Sequence, residues 1–351
     1  MGTNSRAAAR DELMKTDPEI SISDFSPPRL WSGPHAQSVL ASVPLRRPLV
    51  ERRARDLIEA SSDVILDCGR GVRLHGYYAP RSGAPDSESK GLVVLIHGWE
   101  GSADSLYLLS TASHLRRRGY DLFRLNMRDH GPSHHLNPEL FHSNRIAEVV
   151  GAVKSVQERF EARPLFLAGF SLGGNFALRV AMRAPARGID LRQVVSVCPV
   201  LDPVTTLQAL ETGWFGYRQY FLLRWRRSLL KKAQAFPDRY DFSHVEDIET
   251  ITDLTAFFVE HYSGFPDLGA YLRGYALTGD VLEGLQVPCH IIAARDDPVI
   301  PSHDMAKVAR PASLVVTMTE RGGHCGYVED YRLHSWAERQ IGNIFDRAAD
   351  R

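Results

Sequence analysis

The chain has 351 residues, 44% hydrophobic and 24% charged, with 42 Lys and Arg against 42 Asp and Glu. That composition suits one large folded α/β unit with an insertion and excludes collagen, coiled-coil and low-complexity chains. A zero formal charge leaves no global field to gather nucleic acid, and no window approaches the roughly 18 to 20 uncharged apolar residues of a membrane span.

Residues 1–20 are polar without apolar periodicity and read as a disordered end, the start of an N-terminal extension over 1–59. Prolines at 27, 28, 34, 44 and 48 make the stretch from Phe25 to Arg55 a wrapping segment on a body built elsewhere. Val64 to Leu66 and Val72 to Tyr78, around Gly69 to Gly71, predict a hairpin at a sheet edge. After the polar loop 84–90, the continuous run Leu92 to Ile96 predicts a strand covered on both faces. Ser102 is the expected cap of a helix carrying Leu106, Leu109, Ala112 and Leu115, which Gly119 ends. A strand at Leu122 to Leu125, a helix from about Ser143 through Phe160 and a buried strand at Leu165 to Ala168 follow, and the strands resume at Val194 to Cys198, Cys289 to Ala293 and Leu314 to Met318.

Strict alternation of strand and helix implies an α/β fold, a mostly parallel central sheet with helices on both faces. The rhythm breaks between Asp202 and Gly284, where helical patterns and aromatics predominate. The expected organisation is therefore a core over 60–201 and 285–351 with a helical cap inserted at 202–284. Four cysteines (Cys68, Cys198, Cys289, Cys325) are too few for a disulfide scaffold, and no early apolar stretch reads as a signal peptide, so a soluble cytoplasmic protein is expected. Arg6 stands where a myristoylated chain wants Ser or Thr.

Gly169-Phe170-Ser171-Leu172-Gly173 lies directly between a buried strand and a helix. In that context G-x-S-x-G is a nucleophile elbow, which holds Ser171 at a strained, exposed turn. A serine hydroxyl needs an imidazole base, and the imidazole needs an acid to fix its tautomer. His324, in the Gly322-Gly323-His324 loop after the last strand, is the expected base. Of the adjacent carboxylates after the preceding strand, Asp297 is favoured for its spacing to Pro301, with Asp296 kept as the alternative. Acyl transfer also needs an oxyanion hole, and the backbone amides of Trp99, in His97 to Gly101, and of Leu172 are the candidates. The aromatics Trp214, Phe215, Tyr217, Tyr220 and Phe221, with Trp225, are expected to line a substrate pocket.

The motifs at 97–102, 171–175, 296–298 and 322–324 resemble the YheT-like branch of the α/β-hydrolase superfamily, which also contains eukaryotic membrane-anchored lipid hydrolases. The resemblance implies an α/β-hydrolase fold with an inserted cap and a serine hydrolase that cleaves short- or medium-chain or lipid-like carboxylic esters through an acyl-enzyme. An acyltransferase using the same intermediate, and a non-catalytic ligand receptor on the same fold, are the rival readings. Two departures stand out. Arg128-Asp129-His130-Gly131 occupies the place where related proteins usually have Arg-Gly, and the anchor of the eukaryotic members is not found.

No cofactor is expected. His130, His134 and His135 are broken up by Gly131 and Pro132 and do not read as a metal set, and no glycine cluster matches a nucleotide fingerprint. The basic residues of Arg218 to Lys232 suggest transient contact with a membrane surface, although a solvated helix with its aromatic side on the pocket is the favoured reading. The expected partner is a small-molecule ester or lipid, and no nucleic acid.

Overall fold

The computed structural model describes residues 20–23, 25–83, 88–161 and 164–350. The expectation of disorder for residues 1–19, and most of the loop expected at 84–90, lie outside the described residues. Among the described residues nine strands form one sheet: β1 (Ile20–Ser23), β2 (Ser62–Asp67), β3 (Arg73–Ala79), β4 (Leu92–Ile96), β5 (Asp121–Leu125), β6 (Leu165–Phe170), β7 (Leu191–Val197), β8 (Cys289–Ala294) and β9 (Leu314–Thr319), in the order β1-β9-β8-β7-β6-β4-β5-β3-β2. Only β2 with β3 and β3 with β5 pair antiparallel. The hairpin sits at the predicted edge, with Leu66 opposite Leu74. The opposite edge is β1, parallel to β9, a strand that sequence reading did not anticipate.

Helices cover both faces. Among the described residues they are, in chain order, α1 (Pro34–Leu40), α2 (Arg47–Arg53), α3 (Arg55–Glu59), α4 (Leu106–Arg117), α5 (Ile146–Arg159), α6 (Leu172–Arg183), α7 (Pro203–Thr212), α8 (Phe215–Ala235), α9 (Ile251–Phe258), α10 (Leu268–Arg273) and α11 (Trp336–Ala349). The pleat of a strand sends alternate side chains to opposite sides, and β4 shows the result. Val93 and Leu95 enter the core beneath α4 and α11, while Leu92, Val94 and Ile96 enter the core beneath α5 and α6. A strand apolar on both faces is thus covered on both faces.

Segment 25–59 belongs to the first of these cores, where Phe25, Val50, Ala54 and Leu57 are buried. The helix after β4 starts later than expected. Ser105, not Ser102, occupies its N-cap, and the Ser105 hydroxyl instead accepts the Ser102 amide at 2.9 Å. Between β7 and β8 the chain leaves the sheet for α7 to α10, packed over the carboxyl ends of the strands. No described helix is long and apolar enough to cross a membrane.

The long helix α8 is fixed from below by a buried charge. Lys232, fully buried, donates from Nζ to Asp129 Oδ1 at 2.7 Å and to the carbonyls of Asn137 and Glu139 at 2.6 and 2.9 Å. Several other basic residues of 218–232 also bond to groups of this chain. Arg218 approaches Glu211, Arg224 Nε donates to the Glu100 carbonyl, and Arg226 donates to the carbonyls of Val245 and Ile248.

Removing one partner of a buried pair strands the other without a counter-charge, whereas neutralising both does not. Lys232→Met is therefore expected to cost about 3 to 5 kcal/mol in urea unfolding, and Asp129→Asn combined with it to recover part of that loss. A double variant no more stable than Lys232→Met alone would contradict this account.

Candidate active site

The elbow is built by close approach. Ser171, between β6 and α6, has φ 54° and ψ −120°, a backbone region that L residues avoid. Gly173 permits the turn, because a Cβ there would lie 2.4 Å from the carbonyl oxygens of Ile96 and His97. The Ser171 amide donates to the Val197 carbonyl of β7 at 2.9 Å, tying the turn to the neighbouring strand.

Ser171, Asp297 and His324 come together from three loops. His324 Nε2 stands 2.9 Å from Ser171 Oγ, and His324 Nδ1 stands 2.9 Å from Asp297 Oδ2. The other Asp297 oxygen accepts the amides of Val299 and Ile300 at 2.8 and 2.9 Å, which anchors the carboxylate beside the imidazole. Asp296 faces elsewhere. Its Oδ1 accepts the Gly323 amide at 2.9 Å, so it braces the loop before His324, and burial raises its pKa above the ordinary carboxylate range.

The two oxyanion candidates flank Ser171. Leu172 opens α6, where amides are not consumed by the helix itself. Trp99 lies between two anchored neighbours, since the Gly98 amide donates to Tyr107 Oη at 2.9 Å and the Glu100 amide to His130 Nε2 at 3.2 Å. A Cβ on Gly98 would sit 3.1 Å from the Ser171 Cβ, which measures how near this loop runs to the serine.

The cavity above Ser171 is partly open to solvent, with about 770 Å3 of unfilled space when the open solvent at its mouth is included. Trp99, Leu172, Leu210, Phe221, Trp225 and Phe258 are among its walls. Here the expected aromatic set needs correction. Phe221 and Trp225 face inward, where Phe221 stacks on Trp99 at 5.1 Å and Trp225 meets it edge-on at 5.3 Å. Phe215 and Tyr220 on α8 and Trp214 just before it are exposed, and Tyr217 is buried against His35, whose Nδ1 lies 3.0 Å from its hydroxyl. None of these four lines the cavity. Helical periodicity turns Phe215 and Tyr220 away from the face of Phe221 and Trp225, whereas Tyr217, on that same face, is taken up by His35 instead of the cavity.

Sequence reading missed the residues that hold these loops from behind. Ser38 Oγ on α1 accepts the His324 amide at 2.8 Å, and the Gln37 side chain bonds both the amide and the carbonyl of Val328. Asn175 Nδ2 bonds the carbonyls of Val200 and Tyr275. Only the Pro at the start of α1 signalled a helix there, and nothing local marked Gln37 and Ser38 as supports for a loop almost three hundred residues away. The histidines weighed as a metal set take separate tasks. His130 receives the Glu100 amide, while His134 Nε2 pairs with Ser228 Oγ at 2.9 Å. Cys198 and Cys325 are buried beside His324, and burial pushes the Cys325 thiol well up.

The sequence pattern described as alpha/beta hydrolase fold matches residues 91–331. Over 328 residues the chain is 24% identical to Escherichia coli YheT, covering 92% of both chains, in keeping with the branch its motifs resemble. It is 22% identical to a Saccharomyces cerevisiae monoacylglycerol lipase across 75% of its own length and 61% of that protein, so it spans less than two thirds of that relative. Among solved structures, the Pyrococcus furiosus esterase Pf2001 superposes with TM-score 0.55 at 15% identity, covering 84% of this chain and 94% of that one, and Est1E from Butyrivibrio proteoclasticus with TM-score 0.52 at 16% identity, covering 83% and 100%. Identities this low carry the fold alone.

Glu100, in the loop beside Ser171, generates a pH-dependent prediction. Burial pushes its carboxyl up to about 8. Between the ordinary carboxylate range and pH 8 the unfolded chain releases a proton that the fold retains, so stability falls as pH rises through that window and levels off above it. Glu100→Gln removes the titration. The stability of Glu100→Gln relative to the parent, measured by urea unfolding, should be smallest near pH 5, grow to about pH 8 and then stay constant. A difference independent of pH would contradict the burial of an ionisable carboxyl here.

Proposed function

This chain belongs to the α/β-hydrolase family, and from that premise we propose that it is a serine hydrolase of carboxylic esters, with Ser171 as nucleophile, His324 as general base and Asp297 as the acid that orients it. The observation that carries the reading is the chain of contacts Ser171 Oγ to His324 Nε2 and His324 Nδ1 to Asp297 Oδ2, each 2.9 Å, at the base of an apolar cavity. Sequence relatives named for esterase and monoacylglycerol lipase activity point the same way.

In this mechanism His324 takes the Ser171 proton as Oγ attacks the ester carbonyl. The backbone amides of Trp99 and Leu172 meet the oxyanion of the tetrahedral intermediate. His324 then gives the proton to the departing alcohol, leaving an acyl group on Ser171. Water, deprotonated by the same imidazole, attacks the acyl carbonyl, and collapse of the second intermediate releases the acid and restores the serine. Asp297 Oδ2 holds the His324 Nδ1 side of the ring and stabilises the imidazolium. The helices α7 to α10 act as a cap that shapes the acyl and alcohol sites, set into a core formed by 60–201 and 285–351.

Ser171→Ala is expected to abolish labelling by a fluorophosphonate probe and to lower turnover of a nitrophenyl ester by roughly 10⁴-fold or more, with the fold intact. Asp297→Asn should lower kcat by about 10⁴-fold, because the wrong imidazole tautomer is favoured, and Asp296→Asn by far less. A larger loss at Asp296 would exchange the two assignments.

The apolar walls set the response to chain length. Each methylene that enters the cavity contributes about 0.8 kcal/mol, so two further acyl carbons should raise kcat/KM several-fold until the space is full at medium length. Rates on nitrophenyl esters from acetate to palmitate check this, and a flat series or a preference for acetate alone would show that acyl chains do not enter.

A further inference from the structure

Helix α8 has a second face that the cavity does not use. Tyr217, Leu222, Leu229 and Lys232 are buried, whereas Gln219, Tyr220, Leu223, Arg227 and Lys231 are exposed. At 3.6 residues per turn those five fall within one arc of about 120°, so they form a single outward stripe. Trp214 joins the stripe from just before the helix. A Cβ on Gly216, a position in the middle of that arc, would lie 2.8 Å from the Trp214 ring, so the indole rests over this glycine. The Phe215 ring is 5.9 Å from the indole, and the Arg224 guanidinium lies 5.4 Å from the centre of the Tyr220 ring. Trp214, Phe215 and Leu223 are 43, 66 and 48% exposed.

The same stretch is one-sided in charge. Between Glu211 and Asp238 stand six basic residues and no acidic one. Glu211 itself is turned inward, where its carboxylate accepts the Thr252 amide at 2.7 Å and approaches Arg218. Lys232 is taken by Asp129 and Arg226 by backbone carbonyls, but Arg227 and Lys231 make no hydrogen bond or ion pair among the described residues.

A helix that meets only water ordinarily interleaves Glu or Asp with its Lys and Arg, because pairs four residues apart stabilise it. Helix α8 has no such pair and exposes rings and a leucine as well. Both features suit contact with a surface that is anionic at its face and apolar beneath. A nucleic-acid backbone or an acidic protein would answer the two free cations and leave Trp214, Phe215 and Leu223 unmatched.

We propose that the outer face of α8 docks on an anionic lipid surface, with Trp214, Phe215 and Leu223 entering the headgroup boundary and Arg227 and Lys231 meeting lipid phosphates. The inner face of the same helix supplies Phe221 and Trp225 to the cavity, so docking sets the cavity one helix away from the lipid. The inference does not depend on the reaction at Ser171, because binding is read without turnover.

The test sediments the full chain carrying Ser171→Ala with vesicles of phosphatidylcholine alone and of phosphatidylcholine mixed equally with phosphatidylglycerol. Binding to the anionic vesicles should be at least about tenfold tighter than to the neutral ones and should weaken as salt is raised. Replacing Arg227 and Lys231 by Gln should weaken it roughly fivefold per residue, and Phe215→Ser combined with Leu223→Ser about tenfold or more. All four side chains are exposed, so urea unfolding midpoints of these variants should match the parent. Lipids brominated along their acyl chains should quench tryptophan emission, and Trp214→Phe should remove most of that quenching. Absence of binding to anionic vesicles overturns the proposal, as does binding that neither pair of substitutions weakens. Adsorption without quenching, as of a solvated basic patch, overturns it too. Self-association abolished by Leu223→Ser would assign the face to a second copy of the chain and likewise overturn it.

Discussion

The site depends on one strained turn. Ser171 is held at positive φ because β6 and α6 meet there with no side chain to separate them from the end of β4. That contact brings the loop 97–101 against the serine, and the amide of Ser171 fastens the turn to β7. A local conformation of this kind costs on the order of 1 to 3 kcal/mol and persists only when its surroundings leave no alternative. Here the surroundings are four adjacent parallel strands, β5, β4, β6 and β7, buried on both faces.

Around that fixed point the other loops are positioned by elements distant in sequence. The His324 loop is supported by Ser38 on α1 and by Asp296, and the Trp99 loop by Tyr107 on α4, His130 after β5 and Arg224 on α8. Helix α8 therefore has two tasks. Its inner face supplies Phe221 and Trp225 to the cavity, and its polar side chains reach the loop 97–101 and the segment after β5. Because Phe221 stacks on Trp99, the cavity wall and the loop carrying the Trp99 amide share one packing contact.

What the sequence disclosed follows from how local each signal was. Continuous apolar runs located β4, β6 and β8 because a strand buried on both faces needs no partner pattern to be recognised. The elbow was legible because its glycines, its serine and its flanking elements lie within a few residues of one another. The edge strand β1 was not, since four residues that pair only with the distant β9 carry little signal of their own. The aromatic run from Trp214 to Trp225 misled for a related reason. Composition reports the abundance of rings, whereas the division of α8 into inner and outer faces is set by what packs against it. The support of His324 by Ser38 joins residues far apart in sequence and was invisible by the same token.

The segment Arg128-Asp129-His130-Gly131 places a charged side chain in a turn whose backbone would suit glycine. Asp129 has φ 58°, the left-handed conformation that a glycine in its place would adopt without strain. An aspartate tolerates that region better than most residues, but it brings a carboxylate into a buried place. Asp129 Oδ2 accepts the Phe141 amide at 2.8 Å, and Oδ1 takes Lys232 at 2.7 Å. The carboxylate thus converts a turn that glycine would merely permit into a junction between the sheet, the loop 134–141 and α8. His130, the next residue, then receives the Glu100 amide. The charge on α8, the turn after β5 and the loop beside Ser171 consequently form one hydrogen-bonded path, and a glycine at 129 would retain the turn but lose its tie to α8.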